Sequence, residues 1–217
     1  MKNNQLLRWL IAGMFLIVTA QSTVAQSMKD VFASSETPIF YYGIDFTKAK
    51  LIDDAAANAM DIRDRQFDGI NDVVVNEPKK YDFVGAFHKS NVDHDLSFVH
   101  ARNSKVNAEE IKSTNTSDFT RLKKTDIETL VKGFDFGTKN KALGLLFIVE
   151  GMSKSAKAAS VWVTFVDVKT KKVLHTERIE GKAGGFGFRN YYAAAIKYVL
   201  DQIEKKKYKE WKSQYGG

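Results

Sequence analysis

Three apolar runs near the end of the chain restrict the folds that it can adopt. The runs lie at residues 142–152, 160–168 and 173–180, and short polar links join them. In the second run both faces of a strand are apolar, with Val161 and Phe165 on one face and Trp162 on the other. Such a strand is typical of the middle of a sheet. The pattern predicts a three-stranded antiparallel meander.

A glycine-rich turn at 181–187 leads from the meander into a long amphipathic segment. There Tyr192, Ala195, Val199 and Ile203 recur at helical spacing, and charged residues lie off this stripe. We therefore expect a closing helix that packs one face on the sheet.

The earlier region of the chain mixes strand and helix signals. The predicted elements are a strand at 39–46, a helix from Asp53 that Pro78 interrupts, a short helix at 81–87, a strand at 96–101, and a helix at 125–134 with a capping box at Thr125 and Glu128. Together with the meander, they predict an α+β fold: a two-layer sandwich whose mainly antiparallel sheet carries helices on one face.

The first 25 residues have the order of a secretory signal peptide. Lys2 and Arg8 precede an uncharged run at 9–18, and small residues lead to Ala25. The run is shorter than the roughly 20 residues of a membrane span, so an uncleaved anchor is the lesser alternative. We predict a signal peptide at 1–25 and a single domain at 26–217.

Composition narrows the expected location and partners. The chain has no cysteine, so it forms no disulfide and carries no lipid-modified cysteine. Loss of the signal peptide lowers the formal net charge from +7 to +5, and acids intersperse the remaining basic residues, which argues against nucleic acid. The sequence predicts a protein of the periplasm or outer-membrane periphery, with no transmembrane span after cleavage and no cofactor.

One cluster has the residue types of a metal site. It consists of His88, Asp93, His94, Asp95 and His100. Imidazole and carboxylate groups bind borderline divalent metals, so the cluster is a candidate metal site. The histidines are six residues apart, a spacing that aligns side chains on a strand but scatters them around a helix. A structural or surface role is the alternative.

The glycine-rich turn is a candidate anion site. Gly184, Gly185 and Gly187 precede the closing helix, with Arg189 nearby, and backbone N–H groups at such a turn can bind an anion. The phosphate-binding motif G-x-x-x-x-G-K-[ST] is absent. The dinucleotide motif G-x-G-x-x-G is incomplete, because Asn190 stands where its last glycine would be required. The alternative is a turn that simply needs positive φ angles.

Four lysines lie near the end of the closing helix: Lys205, Lys206, Lys207 and Lys209. They could contact an anionic surface or partner weakly, although lysines also favour helix carboxyl ends as a solvated tail. Nucleophilic catalysis has little support, since the chain has no cysteine and no G-x-S-x-G motif.

Two resemblances to known families add to these expectations. Residues 42–49, 69–81 and 184–192, with Ala25-Gln26, resemble an uncharacterised family of exported proteins from Bacteroidetes, which implies no activity. More distantly, residues 165–174 resemble a hairpin of curli-assembly-type envelope proteins and of the amino-terminal domain of the Tol propeller protein, with Lys171 in place of a glycine. This second resemblance implies an α/β sandwich and an envelope-assembly role.

The sequence therefore predicts an exported cell-envelope protein that is not an enzyme and binds a protein or another envelope component. One alternative is a metal-dependent hydrolase that uses the cluster at 88–100. Another is a small-ligand carrier with a pocket between sheet and helices near Trp162.

Overall fold

A mixed sheet runs through the structure, a computed structural model that describes residues 27–137 and 143–216. The strands are β1 Ile39–Asp45, β2 Lys50–Ile52, β3 Val92–His94, β4 Lys112–Ser113, β5 Leu143–Ser153, β6 Ala158–Asp167 and β7 Lys172–Lys182. The predicted signal peptide lies outside the described residues.

Strand β5 occupies the middle of the sheet. On one side it pairs in parallel with β1 and then, further along, with β2, so these two strands form one interrupted column. Strands β3 and β4 pair in parallel with β1 and β2 at the outer edge. On its other side β5 starts an antiparallel meander with β6 and β7.

The predicted α+β fold class is wrong, although the predicted meander is confirmed. The structure is an α/β fold in which β3, β1, β5, β2 and β4 are joined by parallel pairings and helices cover both faces. Strands β2, β3 and β4 are only two or three residues long, too short for a period of two to be visible in the sequence.

Helices connect and cover these strands. They are α1 Met28–Ala33, α2 Ala59–Asp61, α3 Phe67–Asn76, α4 Phe83–Ala86, α5 Ser97–Asn103, α6 Lys124–Lys132, α7 Phe188–Gln202 and α8 Tyr208–Tyr215. A π-helical turn at Ile62–Gln66 joins α2 to α3, and another at Ile203–Lys207 joins α7 to α8. In the described residues no helix is both long and apolar enough to cross a bilayer.

Each face of the sheet has its own hydrophobic core. On one face α3, α7 and α8 contribute Ile70, Val199 and Trp211, all at most 1% exposed. On the other face α5 and α6 contribute Val99 and Val131, which are fully buried. The predicted apolar stripe of the closing helix is therefore confirmed, and burying a side chain such as Val199 contributes about 1.5–3 kcal/mol.

Two local predictions are wrong for identifiable reasons. The strand predicted at 96–101 is helix α5. Just before this helix, the Asp95 carboxylate accepts a hydrogen bond from the Ser97 N–H at 2.9 Å, which satisfies one backbone donor of the first turn. Helix α6 begins at Lys124 rather than at the predicted capping box. Its start is fixed by the Asp126 carboxylate, which accepts the Lys123 N–H at 2.7 Å.

Two buried asparagines complete the end of β1. Asn71 of α3 accepts the Ile44 N–H at 2.7 Å and donates to the Ile44 carbonyl at 3.0 Å. Asn103 of α5 donates to the same carbonyl at 2.9 Å and accepts the Phe46 N–H at 2.8 Å. These amides supply the hydrogen bonds that a neighbouring strand would otherwise make, and they fix α3 and α5 to the sheet.

Candidate functional site

A cavity of about 440 Å³ lies beside the glycine-rich loop, between the amino end of α7 and the start of α2. We call it the loop cavity. Its walls include Asp54, Asp61, Lys154, Phe186, Tyr191 and Tyr192. It lies on the face of the sheet that α7 covers, because Tyr192 belongs to that core.

Phe186 is 94% exposed at the tip of the loop. The glycines on either side hold it there, since Gly185 has φ 106° and Gly187 has φ 78°, values that other residues rarely adopt. The predicted need for positive φ angles in this turn is confirmed. An exposed phenylalanine has no role in the core, and aromatic residues are frequent anchors of binding surfaces.

The hydroxyl of Tyr192 is the most unusual polar group of the loop cavity. Tyr192 is only 3% exposed, and its hydroxyl has no hydrogen-bond partner within the described structure. Burial, and then the charge of Asp54, raise the pKa of Tyr192 well above its ordinary value. A buried hydroxyl without a partner costs about 1–3 kcal/mol, so a ligand that reaches it would remove this cost.

The two carboxylates of the loop cavity differ in their partners. Asp61 binds the guanidinium of Arg65 and accepts a hydrogen bond from Gln66 at 2.9 Å; the bond from Arg65 lowers the pKa of Asp61. Asp54 is half-buried and forms no ion pair with any described residue. Asp54 is thus the carboxylate that remains available to a ligand.

The aromatic wall already holds one cation. The ammonium of Lys154 lies 4.7 Å from the ring centroid of Tyr191, within the range of a cation–π contact. Two further rings continue this wall, because Tyr192 packs against Tyr191 at 5.1 Å and against Phe188 at 4.9 Å between centroids.

A second recess, of about 370 Å³, adjoins the loop cavity on the other side of Phe186. Arg65, Gln66, Arg189 and Asn190 line it. The π-helical turn Ile62–Gln66 contributes to both spaces, and such turns often occur at functional sites. The sequence predicted neither the cavity nor this turn. A cavity is formed by tertiary packing, and a π-helical turn has no period of its own in the sequence.

The structure brings the four predicted anion-site residues together at the start of α7. Gly187 precedes the helix without a side-chain cap, and Gly184 donates its N–H to the Tyr191 carbonyl at 3.1 Å. The Arg189 guanidinium donates to Asn190 at 3.2 Å, and Gly185 has the positive φ given above. Anion binding itself stays a prediction.

The predicted metal residues lie apart. His88 packs against Tyr208 with 4.1 Å between centroids and the rings tilted by 30°, and Asp93 and His94 are exposed on the edge strand β3. Asp95 accepts the Ser97 N–H at the start of α5, while His100 faces two aspartates of α3, with its Nε2 3.5 Å from Asp72 and 3.9 Å from Asp68. Across 27–137 and 143–216, no group of three or more histidine or acidic side chains is arranged to hold a metal. The geometry therefore gives no support to a metal centre built from these five residues.

The predicted lysine surface is divided by ion pairs. Lys207 turns towards the sheet and pairs with Glu177 at 2.6 Å and Glu210 at 2.9 Å. Lys206 pairs with Glu210 at 3.7 Å, while Lys205 and Lys209 are exposed. Contact with an anionic surface stays a prediction.

Trp162, near which the alternative small-ligand pocket was expected, belongs to the core on the opposite face from the loop cavity. Its indole N–H donates to the buried carboxylate of Glu150 at 2.7 Å, and the Arg178 guanidinium covers its ring at 4.8 Å. These contacts give Trp162 a structural role.

No protein-family model matches the chain, and comparison with curated proteins finds no relative. The resemblances to exported and envelope-assembly families therefore stay predictions.

Proposed function

We propose that this protein is an exported cell-envelope protein that binds a partner molecule at the loop cavity and is not an enzyme. The observation that carries the proposal is the buried hydroxyl of Tyr192, which lacks a partner in the wall of the loop cavity. Native proteins satisfy nearly all such groups, and each exception needs an explanation. The hydroxyls of Tyr41 and Tyr81 also lack partners in the described structure, but of these tyrosines only Tyr192 lines the loop cavity. The exposed ring of Phe186 above the same cavity supports the proposal.

The chemistry of the walls favours binding over catalysis. The described side chains of the loop cavity include carboxylate, amide, ammonium and phenol groups, but no histidine, serine, threonine or cysteine. A hydroxyl or thiol nucleophile activated by a histidine is therefore missing from the described walls. Apolar rings with a few convergent polar groups are typical of binding pockets.

Site-specific photo-crosslinking in cells tests the proposal. A benzophenone amino acid replaces Phe186 in one strain and Val84, which is 42% exposed on α4, in a control strain. We expect a discrete adduct from position 186 that is absent from position 84. We also expect Tyr192→Phe, introduced into the same chain, to reduce its yield.

Identical adducts from both positions, or none from position 186 with protein, peptidoglycan or lipid, would contradict a binding role for the loop cavity. Cell fractionation tests the exported location in the same strains. Recovery of the chain in the cytoplasm with its first 25 residues intact would contradict that element of the proposal.

A further inference from the structure

The charges around the loop cavity favour one kind of ligand. The charged residues that line it are Asp54, Asp61 and Lys154. Because Arg65 pairs with Asp61, Asp54 is the carboxylate of the cavity that has no ion-pair partner among the described residues.

The aromatic wall has the same preference. Lys154 shows that an ammonium can lie over Tyr191, and Phe186 and Phe188 present further rings to the cavity. The face of an aromatic ring is negative and attracts cations, most strongly where water is excluded.

The hydroxyl of Tyr192 discriminates among the remaining ligands. An anion would be repelled by Asp54, whose charge already acts on Tyr192. A purely apolar group would leave both the hydroxyl and the carboxylate without a partner, at a cost in free energy. An N–H donor with a positive charge can satisfy the phenol oxygen and the Asp54 carboxylate together.

We infer that the loop cavity binds the ammonium or guanidinium group of a lysine or arginine side chain in a peptide. This inference rests on the proposed function, since it names the ligand of the same site. The adjoining recess suits the main chain of the peptide rather than a second cationic side chain. The amides of Gln66 and Asn190 can bond to a main chain there, and the guanidinium groups of Arg65 and Arg189 can donate to its carbonyl oxygens. Phe186 lies between the two spaces and contacts the peptide where it passes from one to the other.

Titration of the purified protein with short peptides, followed by amide NMR spectra, tests the inference. The probes are acetylated and amidated tripeptides with glycine on both sides of lysine, arginine, glutamine or glutamate. We expect the lysine and arginine peptides to shift the signals of Gly185, Gly187 and Tyr191. We expect the glutamine and glutamate peptides to bind at least about tenfold more weakly, as one charge-assisted hydrogen bond implies.

Variants identify the groups responsible. Asp54→Asn should weaken binding of the lysine peptide about tenfold, and raising the ionic strength to about 0.5 M should weaken it further. Tyr192→Phe should weaken it severalfold without lowering the melting temperature. Glu128→Gln removes one negative charge from an exposed position on α6, on the opposite face, and should leave binding unchanged.

The outcomes separate the inference from the proposed function. Equal binding of the lysine and glutamine peptides at the same signals would overturn the cationic ligand but retain the site. If no peptide binds while crosslinking from position 186 succeeds, the inference again fails alone. Failure of both experiments overturns both statements.

Discussion

The meander and the parallel region of the sheet are built in different ways. Strands β5, β6 and β7 have ten or eleven residues each, and each pairs with its neighbour in sequence through a short turn. Strands β1 to β4 have two to seven residues and pair with strands far along the chain. The meander is thus specified locally, whereas the parallel region depends on contacts between distant segments.

The means of stabilisation differ as well. Apolar burial dominates where α7 covers the meander, with Val199 fully buried. In the parallel region, the side-chain amides of Asn71 and Asn103 complete the hydrogen bonds of β1. The comparison teaches that a substitution in the core between α7 and the meander should lower the stability of the whole domain. Removal of an asparagine amide should first destabilise β1 and the helices bonded to it.

The largest expected effect comes from Val199→Asp, which buries a charge between α7 and the sheet. We expect a loss of more than about 4 kcal/mol in the free energy of unfolding, or failure to fold, because the carboxylate has no partner there. Thermal unfolding, monitored by circular dichroism, measures this loss of stability. Lys206→Glu, at an exposed position in the π-helical turn after α7, should change stability by less than about 0.5 kcal/mol. A Val199→Asp chain that melts close to the parent would show that α7 does not depend on the sheet.

A smaller and more local loss is expected from Asn71→Ala. This change leaves the N–H of Ile44 without its partner and should cost about 2–4 kcal/mol, from lost hydrogen bonds and from the space left behind. Hydrogen exchange should accelerate at Ile44 more than in β6. Asn91→Ala, at an exposed asparagine, is the control and should change neither. Uniform acceleration in both regions of the sheet would contradict the proposed division.

The same division explains which features the sequence predicts. Long apolar runs and the helical stripe through Val199 are strong local signals, so the meander and closing helix could be predicted. The parallel strands could not, because β3 and β4 acquire their pairing only from tertiary contacts. At the candidate site the glycines and their positive φ angles were predictable. The isolated hydroxyl of Tyr192 was not, because its apolar spacing on the helix only indicates burial.

Acid should weaken the meander through His175. Burial, opposed by the charge of Glu177, lowers the pKa of His175 from 6.5 to about 4. Between these values the unfolded chain binds a proton that the folded chain excludes, so stability is complete above pH 6.5 and falls as the pH approaches 4. We expect the free energy of unfolding to fall by about 1–3 kcal/mol between pH 6.5 and about 4.

Urea unfolding as a function of pH measures this loss. His175→Gln cannot titrate, and it should remove this component of the pH dependence whatever its effect on stability at neutral pH. An unchanged slope in that variant would assign the acid sensitivity to carboxylates instead.

The smallest expected effect is that of Tyr192→Phe. This change tests whether the Tyr192 hydroxyl contributes to the stability of the core that surrounds it. The change removes a hydroxyl that has no partner in the described structure and leaves the packed ring in place. If the hydroxyl is unsatisfied in solution, stability should stay the same or rise by up to about 1 kcal/mol, since a buried polar group without a partner is destabilising. Differential scanning calorimetry without added ligand measures the change.

A loss of more than about 1 kcal/mol would mean that the hydroxyl already has a partner, such as an ordered water molecule, and would remove the main support for a binding site. Gained stability combined with weaker peptide binding is the result expected of a hydroxyl that serves a ligand, because removing a purely structural hydroxyl would lower stability instead.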